Sequence, residues 1–232
     1  MSESLDKVSG LRHLPLFPLP LVMLPNEVLP LHIFEERYRQ MLKDVAADRN
    51  MFGVTLFEPA GDYIERPATG SVGCVAEIKE TETFPDGRSN ILTVGVVRFR
   101  LNDYVEDGSP YLVGEVEYFE DDPADEDVLA PIADEVFQLF ERMARAAFKI
   151  GGSRGTFPEI QQTDPESLSF LITAAFNFEN DRKYRLLEMT STVQRLSELG
   201  ELLNRTVDQM EQNAELQVAS KQNGHSKKKL DL

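Results

Sequence analysis

The chain has 232 residues, 41% of them hydrophobic and 28% charged. That is enough apolar material for a sizeable core, arranged as one large or two small domains. Its formal charge is -16, from 40 acidic and 24 basic side chains, so its field repels polyanions and disfavours nucleic acid as a general partner. The single cysteine rules out an internal disulfide and leaves a zinc site without its usual thiolates.

The start, MSESLDKVSG, is polar and lacks the basic and apolar regions of a signal peptide. We expect residues 1–12 to be a flexible N-terminus. No later apolar run approaches the ~20 residues of a membrane span, and a cytoplasmic, membrane-free setting is expected.

From Leu14 to about Phe119, short apolar runs separated by Pro, Gly and Asp spell a small barrel or sandwich over 13–120. The candidate strands are 14–22, 29–33, 51–57, 72–80, 90–98, 99–105 and 111–119. Prolines at 15, 18, 20, 25 and 30 deny ladder bonds, so the opening segment is predicted to be an edge strand or to be broken by bends. Pro85 to Arg88, PDGR, supplies the Asp-Gly pair of a tight hairpin. Between the strands, Tyr38, Met41, Leu42 and Val45 share one face of a helix over 35–47 that plugs or flanks the strands. Cys74, in SVGCVAEI, reads as a small buried hydrophobe.

The run EDDPADED at 120–127 holds six carboxylates in eight residues and a proline. It is predicted to be an exposed acidic linker, taken as 121–127. Calcium is not expected there, because the glycine of a calcium loop is missing. A helical part over 128–218 follows. Leu129, Ile132, Val136, Leu139, Phe140 and Met143 fall on one face of a helix ending near Gly151. Asp164-Pro165 signals another helix start, and a short helix is predicted over 182–189. A last helix from Thr190 carries the seam Val193, Leu196, Gly200, Leu203, Val207, Met210 and Ala214. That seam packs either on the body or on another copy, giving a homodimer in the second case. Residues 219–232, with Lys227, Lys228 and Lys229, are expected to be a disordered, solvated tail.

Signatures of catalysis are missing. There is no phosphate-binding Gly-x-x-x-x-Gly-Lys-Ser/Thr and no Gly-x-Ser-x-Gly. The Gly-Gly-Ser-Arg-Gly run at 151–155 follows a helix, so it reads as a loop. His13, His32 and His225 are the only histidines, and HIFEE lacks the second histidine of a zinc motif. His32 is therefore read as a strand-end residue satisfied by a hydrogen bond. No cofactor is implied.

The segment LPLFPLPLVMLPNEVLPLHIFEERYRQML, residues 14–42, resembles the start of the Lon protease N-terminal (substrate-binding) domain family. The matching elements are Leu14 to Leu19, Pro30, and Phe34, Glu35, Arg37 and Tyr38. VGCVAEI at 72–78, VGVVRFRL at 94–101 and the helical pattern at 164–189 extend the resemblance over about 14–205. It implies an α+β fold, a PUA-like β-barrel followed by a helical bundle. It also implies a non-catalytic module that binds unfolded or partner polypeptides, such as a substrate-recognition adaptor in protein quality control. The ATPase and Ser-Lys protease parts of full-length Lon have no counterpart in the stretch. Phe34, Arg37 and Tyr38 are candidate binding residues, since aromatic and arginine side chains dominate interfaces. The competing reading puts Phe34 and Tyr38 in the core and pairs Arg37 with a local carboxylate. Nucleic-acid or small-ligand binding through the barrel, and an autonomous peptidase, are the alternatives.

Overall fold

The structure is a computed structural model that describes residues 2–58, 66–151 and 156–223, with side chains described as far as 212. The chain forms two compact units, Met1–Asp122 with Thr173–Thr190, and Pro123–Ile172 with Ser191–Leu232. The division is therefore not a single cut at the acidic run. A helical segment placed by sequence with the second part belongs to the strands.

The first unit contains strands β1 (His13–Leu19), β2 (Val28–Ile33), β3 (Met51–Leu56), β4 (Val72–Thr83), β5 (Ser89–Tyr104) and β6 (Leu112–Phe119). It also contains helices α1 (Glu3–Lys7) and α2 (Glu36–Ala46). The strand order is β2-β5-β4-β3-β1-β6, and β6 pairs again with β5, so five strands form a hydrogen-bonded ring with β2 outside it. Side chains of all five ring strands meet in one cluster, which includes Leu14, Leu16, Met51, Val75, Phe99, Leu101 and Val116. Gly53 and Gly73 make room there for the Phe99 ring, because a Cβ at either would come within 2.7 Å of it.

The opening segment is broken by bends at Pro20 and Leu21, as its prolines led us to expect, but the prolines inside β1 leave its pairing intact. The strand lies inside the order, yet each half is paired on one side only: His13–Leu16 with β6, and Leu16–Leu19 with β3. Val116 N–H donates to the Arg12 carbonyl and Phe57 N–H to the Leu19 carbonyl. Counting along the strand from those bonds, the nitrogens of Pro15 and Pro18 face away from the partner that pairs their half. Neither proline removes a ladder bond.

Three other expectations change. Residues 1–12 are not a loose end: the Ser2 hydroxyl caps α1 by accepting the Leu5 N–H at 3.2 Å, and Val8 is buried in the ring cluster. The strands expected at 90–98 and 99–105 are one, β5, running through Arg98. The acidic run is not wholly exposed either, because Asp121 accepts an Arg98 hydrogen bond at 2.5 Å, with side chains 4% and 1% exposed. Arg98 also donates to the carbonyls of Leu187 (3.1 Å) and Met189 (2.6 Å), at the C-terminal end of α5 (Asn180–Glu188). Tyr184 of α5 accepts the Val72 N–H at 2.8 Å. These bonds tie α5 to β4 and β5.

α2 lies on a second cluster, burying Tyr38, Met41 and Val45 with Phe17, Phe52, Val54, Cys74 and Ile91. Burial pushes the Cys74 thiol up to about 12, so it is a core group and not a nucleophile.

In the second unit, α3 (Glu126–Ile150) packs on α6 (Thr192–Asn223). Asp125 caps α3 by accepting the Asp127 N–H at 3.0 Å. Leu196, Leu199, Leu203 and Val207 are buried, and Gly200 lets Val136 come close, so the apolar seam through Val207 is covered within the unit. Arg142 of α3 then bonds Glu211 at 2.9 Å and Asp208 at 3.2 Å. Buried Arg195 donates to the Ser169 hydroxyl at 2.7 Å and lies over the Phe170 ring. Asp164 accepts the Ser167 N–H at 2.9 Å where α4 (Pro165–Ala175) begins. α6 continues through 219–223, part of the stretch expected to be disordered. Ala214 of the predicted seam, the tail lysines and residues 152–155 of the glycine-rich run lie outside the described side chains. Among the described residues, no helix is long and apolar enough to cross a membrane.

Candidate functional site

Among the described residues β2 pairs with β5 alone, which leaves its other edge open to them. The Glu27 carbonyl accepts the Gly95 N–H at 2.9 Å, and the register pairs Val28 with Val94 and Pro30 with Leu92. The residues that exchange ladder bonds with β5 are therefore Leu29, Leu31 and Ile33. The backbone groups of Val28, Pro30 and His32 point to the open edge. Pro30 sits where its missing N–H costs the ladder nothing, and it also blunts the edge as a template for self-pairing.

The side chains split the same way. Leu29, Leu31 and Ile33 turn toward the α2 cluster. Val28, Pro30 and His32 occupy the outer face, beside Val94, Leu92 and Asn90 of β5. Val28 is 58% and Phe34 61% exposed, and both flank this face, one at each end of β2. The His32 ring stacks on Phe34 at 6.2 Å between centroids and lies 6.3 Å from Phe84. Its Nδ1 is 2.7 Å from the Asn90 side-chain oxygen, as expected for a satisfied strand-end histidine. Glu80 and Glu82 of β4 lie opposite Leu92 and Asn90 and give the apolar strip an acidic border. The result is an apolar, aromatic-ended strip beside backbone donors and acceptors that pair with no described strand.

The three sequence candidates separate here. Phe34 lies on the strip, not in the core. Tyr38 is buried, its ring 4.2 Å from that of Phe17, and burial pushes its hydroxyl pKa up, so it is a packing residue. Arg37 is exposed, bonded to Glu35 at 2.9 Å, and over the Tyr38 ring. Only Phe34 is available as an apolar contact. Val28, Pro30, Leu92 and Val94 were missed, although a signal was present: in VLPLHI both alternating sets are apolar, and only one set can face α2.

Glu27, just before β2, has its carboxyl pKa raised by burial, an effect opposed by the Leu24 N–H and by Lys183. Among the described residues, no group of three or more His, Cys, Asp or Glu could hold a metal ion.

The sequence model of the family described as the ATP-dependent protease La (LON) substrate-binding domain matches residues 13–205. The Lon protease of Brevibacillus choshinensis is 27% identical over 201 residues, covering 84% of this chain and 25% of the relative. That of Anaeromyxobacter dehalogenans is 28% identical over 204 residues, covering 83% and 23%. The chain thus spans about a quarter of the length of these curated relatives. The crystal structure of a Lon N-terminal domain protein from Xanthomonas campestris superposes with a TM-score of 0.59 at 25% identity, covering 81% of this chain and 96% of that one. The N-terminal domain of the Mycobacterium avium complex Lon protease gives 0.60 at 18% identity, covering 83% and 98%, a likeness of fold.

Proposed function

Because the chain belongs to the ATP-dependent protease La (LON) substrate-binding domain family, we propose that it is a polypeptide-binding module, and that exposed apolar segments dock along the open edge and outer face of β2. The observation that carries this reading is the coincidence of free edge groups with the uncovered side chains of Val28 and Phe34. An extended segment added beside β2 would bond the backbone of Val28 and His32 without reference to sequence. Its alternate side chains would meet Pro30, Leu92 and Phe34. Such a division suits a module that takes many unfolded chains. The acidic border favours segments flanked by Lys or Arg.

We read the five-strand ring as the PUA-like barrel; the return of β6 to β5 and the shared cluster support this. The role is binding, not hydrolysis, and its physiological form is an adaptor that presents polypeptides in protein quality control. Support comes from the matched region being a substrate-binding domain and from His32 being held by Asn90. RNA binding would need cations along a face, whereas Glu80 and Glu82 border this one.

The test is fluorescence anisotropy with a labelled protein that is permanently unfolded by reduction and carboxymethylation, compared with its folded form. Capture of the unfolded form only, lost in Val28→Asp/Phe34→Asp with the fold intact by circular dichroism, is expected. Equal capture by that variant would place binding elsewhere.

A further inference from the structure

A different cavity lies on the inner side of the same strands. It measures about 360 Å3 and is walled by Arg39, Leu42, Lys43 and Ala46 of α2, by Asn50, by Ile78, Thr81 and Thr83 of β4, and by Gly87 and Ser89. The four α2 residues are spaced three and four apart, so they form one stripe beside the buried face of Tyr38, Met41 and Val45. The volume is at the low end of the ~300–1,000 Å3 common for small-ligand sites.

Its charge is the reverse of the protein's. In a chain of net charge -16, the wall carries two cations and no carboxylate. Arg39 and Lys43 are one helical turn apart, a like-charge spacing that destabilises a helix unless an anion offsets it. Neither makes an ion pair or hydrogen bond with another described residue. Nearby carboxylates make their direct bonds elsewhere: Asp86, which feels the Arg39 charge only at a distance, bonds Arg88 at 2.7 Å, and Asp44 bonds Gln40 at 2.8 Å and Tyr111 at 2.7 Å.

The Arg39 guanidinium is also placed. It lies against the bare backbone of Gly87, where a Cβ would overlap its terminal nitrogen. Gly87 has φ +83 in the turn between β4 and β5, so hairpin chemistry and arginine placement coincide at one residue. Thr83 and Ser89 hydroxyls, 3.1 Å apart, lie on the paired strands of the opposite wall. Asn50 is fixed by its backbone, its N–H on the Val45 carbonyl and its carbonyl accepting from Ile78, both at 2.8 Å. Leu42, Ala46 and Ile78 supply an apolar patch.

We propose that this cavity binds a carboxylate that carries a short apolar side chain. The carboxylate sits between Arg39 and Lys43 with the Thr and Ser hydroxyls beside it, and the apolar group rests on Leu42, Ala46 and Ile78. A phosphate is the poorer fit. The α2 stripe runs to the C-terminal end of the helix, whose dipole disfavours any anion and a dianion about twice as much as a monoanion, and the cavity is not at a helix N-terminus. Two sources share this chemistry: the C-terminal residue of a polypeptide, and a free small acid of the N-acyl amino acid type. The inference does not rest on the β2 reading, because the two sites use opposite faces of the strands and different residues.

The test is an NMR titration of the full chain, following the amides of Thr83, Gly87 and Ser89. Probes are N-acetyl-leucine, N-acetyl-leucinamide, inorganic phosphate, and a hexapeptide ending in leucine as the free acid or the amide. Both acids should shift these amides, the amide forms should bind on the order of tenfold more weakly, and Arg39→Gln or Lys43→Gln should cost a similar factor. Val28→Asp/Phe34→Asp should leave the acid affinities unchanged, whatever it does to capture of unfolded protein. An acid peptide that outbinds N-acetyl-leucine tenfold assigns the site to chain termini, and equal affinities assign it to free acids; either supports the proposal. Amides binding as well as acids, phosphate alone producing the shifts, or no probe shifting them would overturn it.

Discussion

α6 and β2 both carry more apolar side chains than one would place on a solvent face, yet they end differently. The α6 seam is covered by α3, and Leu196, Leu199, Leu203 and Val207 are all buried. β2 turns Leu29, Leu31 and Ile33 inward and leaves Val28 and Pro30 on an uncovered face, with Phe34 at its end. An apolar residue is thus informative about binding only when its own unit offers nothing to cover it. The seam belongs to stability, and the strip is the face we propose for recognition.

The largest effect should come from a feature common to both units, a buried arginine, and it tests whether polar anchoring distinguishes them. Arg98→Ala removes the guanidinium that binds Asp121 and the carbonyls of Leu187 and Met189, and should cost about 3–5 kcal/mol in urea unfolding. A loss under 1 kcal/mol would mean that water reaches Asp121. Next, Leu203→Ala and Val28→Ala set the seam against the strip directly. The first should cost about 2–5 kcal/mol and the second stay within about 0.5 kcal/mol. Comparable losses would erase the distinction drawn here. Gly73→Ala, which drives a methyl group into the Phe99 ring and the Val54 carbonyl, should destabilise by about 1–3 kcal/mol. An unchanged melting temperature there would argue against a tightly filled ring.

The smallest effect concerns Glu27, at the start of the strip. Burial raises its folded pKa above the ordinary 4.5, so the protonated form suits the fold. Its contribution is fully present below pH 4.5 and is lost as pH rises through the raised value. Glu27→Gln should therefore melt slightly higher than the parent at pH 7, and the difference should vanish below pH 4.5. A constant difference across that window would mean that burial does not govern this carboxyl.

Local chemistry made much of the fold legible. The stripe Tyr38, Met41 and Val45 gave α2, and the Asp-Gly pair gave the hairpin, where Gly87 has φ +83. Asp164 and Pro165 marked the start of α4. What escaped depends on partners distant in sequence. The break expected between Arg98 and Phe99 does not occur: inside β5 the Arg98 guanidinium is met by Asp121 and by carbonyls at the C-terminal end of α5. The same partnership explains how a carboxylate of the acidic run is buried, and why 173–190 returns to the strands. At the candidate site, Phe34 was legible only as an aromatic that could lie in the core or on a binding face; its 61% exposure comes from the fold. Tyr38 was not separable from it, because the ring packs on Phe17, 21 residues earlier in the chain. The cationic cavity was invisible, since Arg39 and Lys43 are brought opposite Thr83 and Ser89 only by the fold.

The central claim is that an unfolded polypeptide adds beside β2, and amide hydrogen exchange tests it most directly. With a reduced, carboxymethylated protein present, the outward N–H groups of Val28 and His32 should slow by at least about tenfold, while α6 amides buried at Leu199 and Leu203 stay unchanged. Unaltered exchange at Val28 and His32 under conditions where the polypeptide is demonstrably bound would contradict the account.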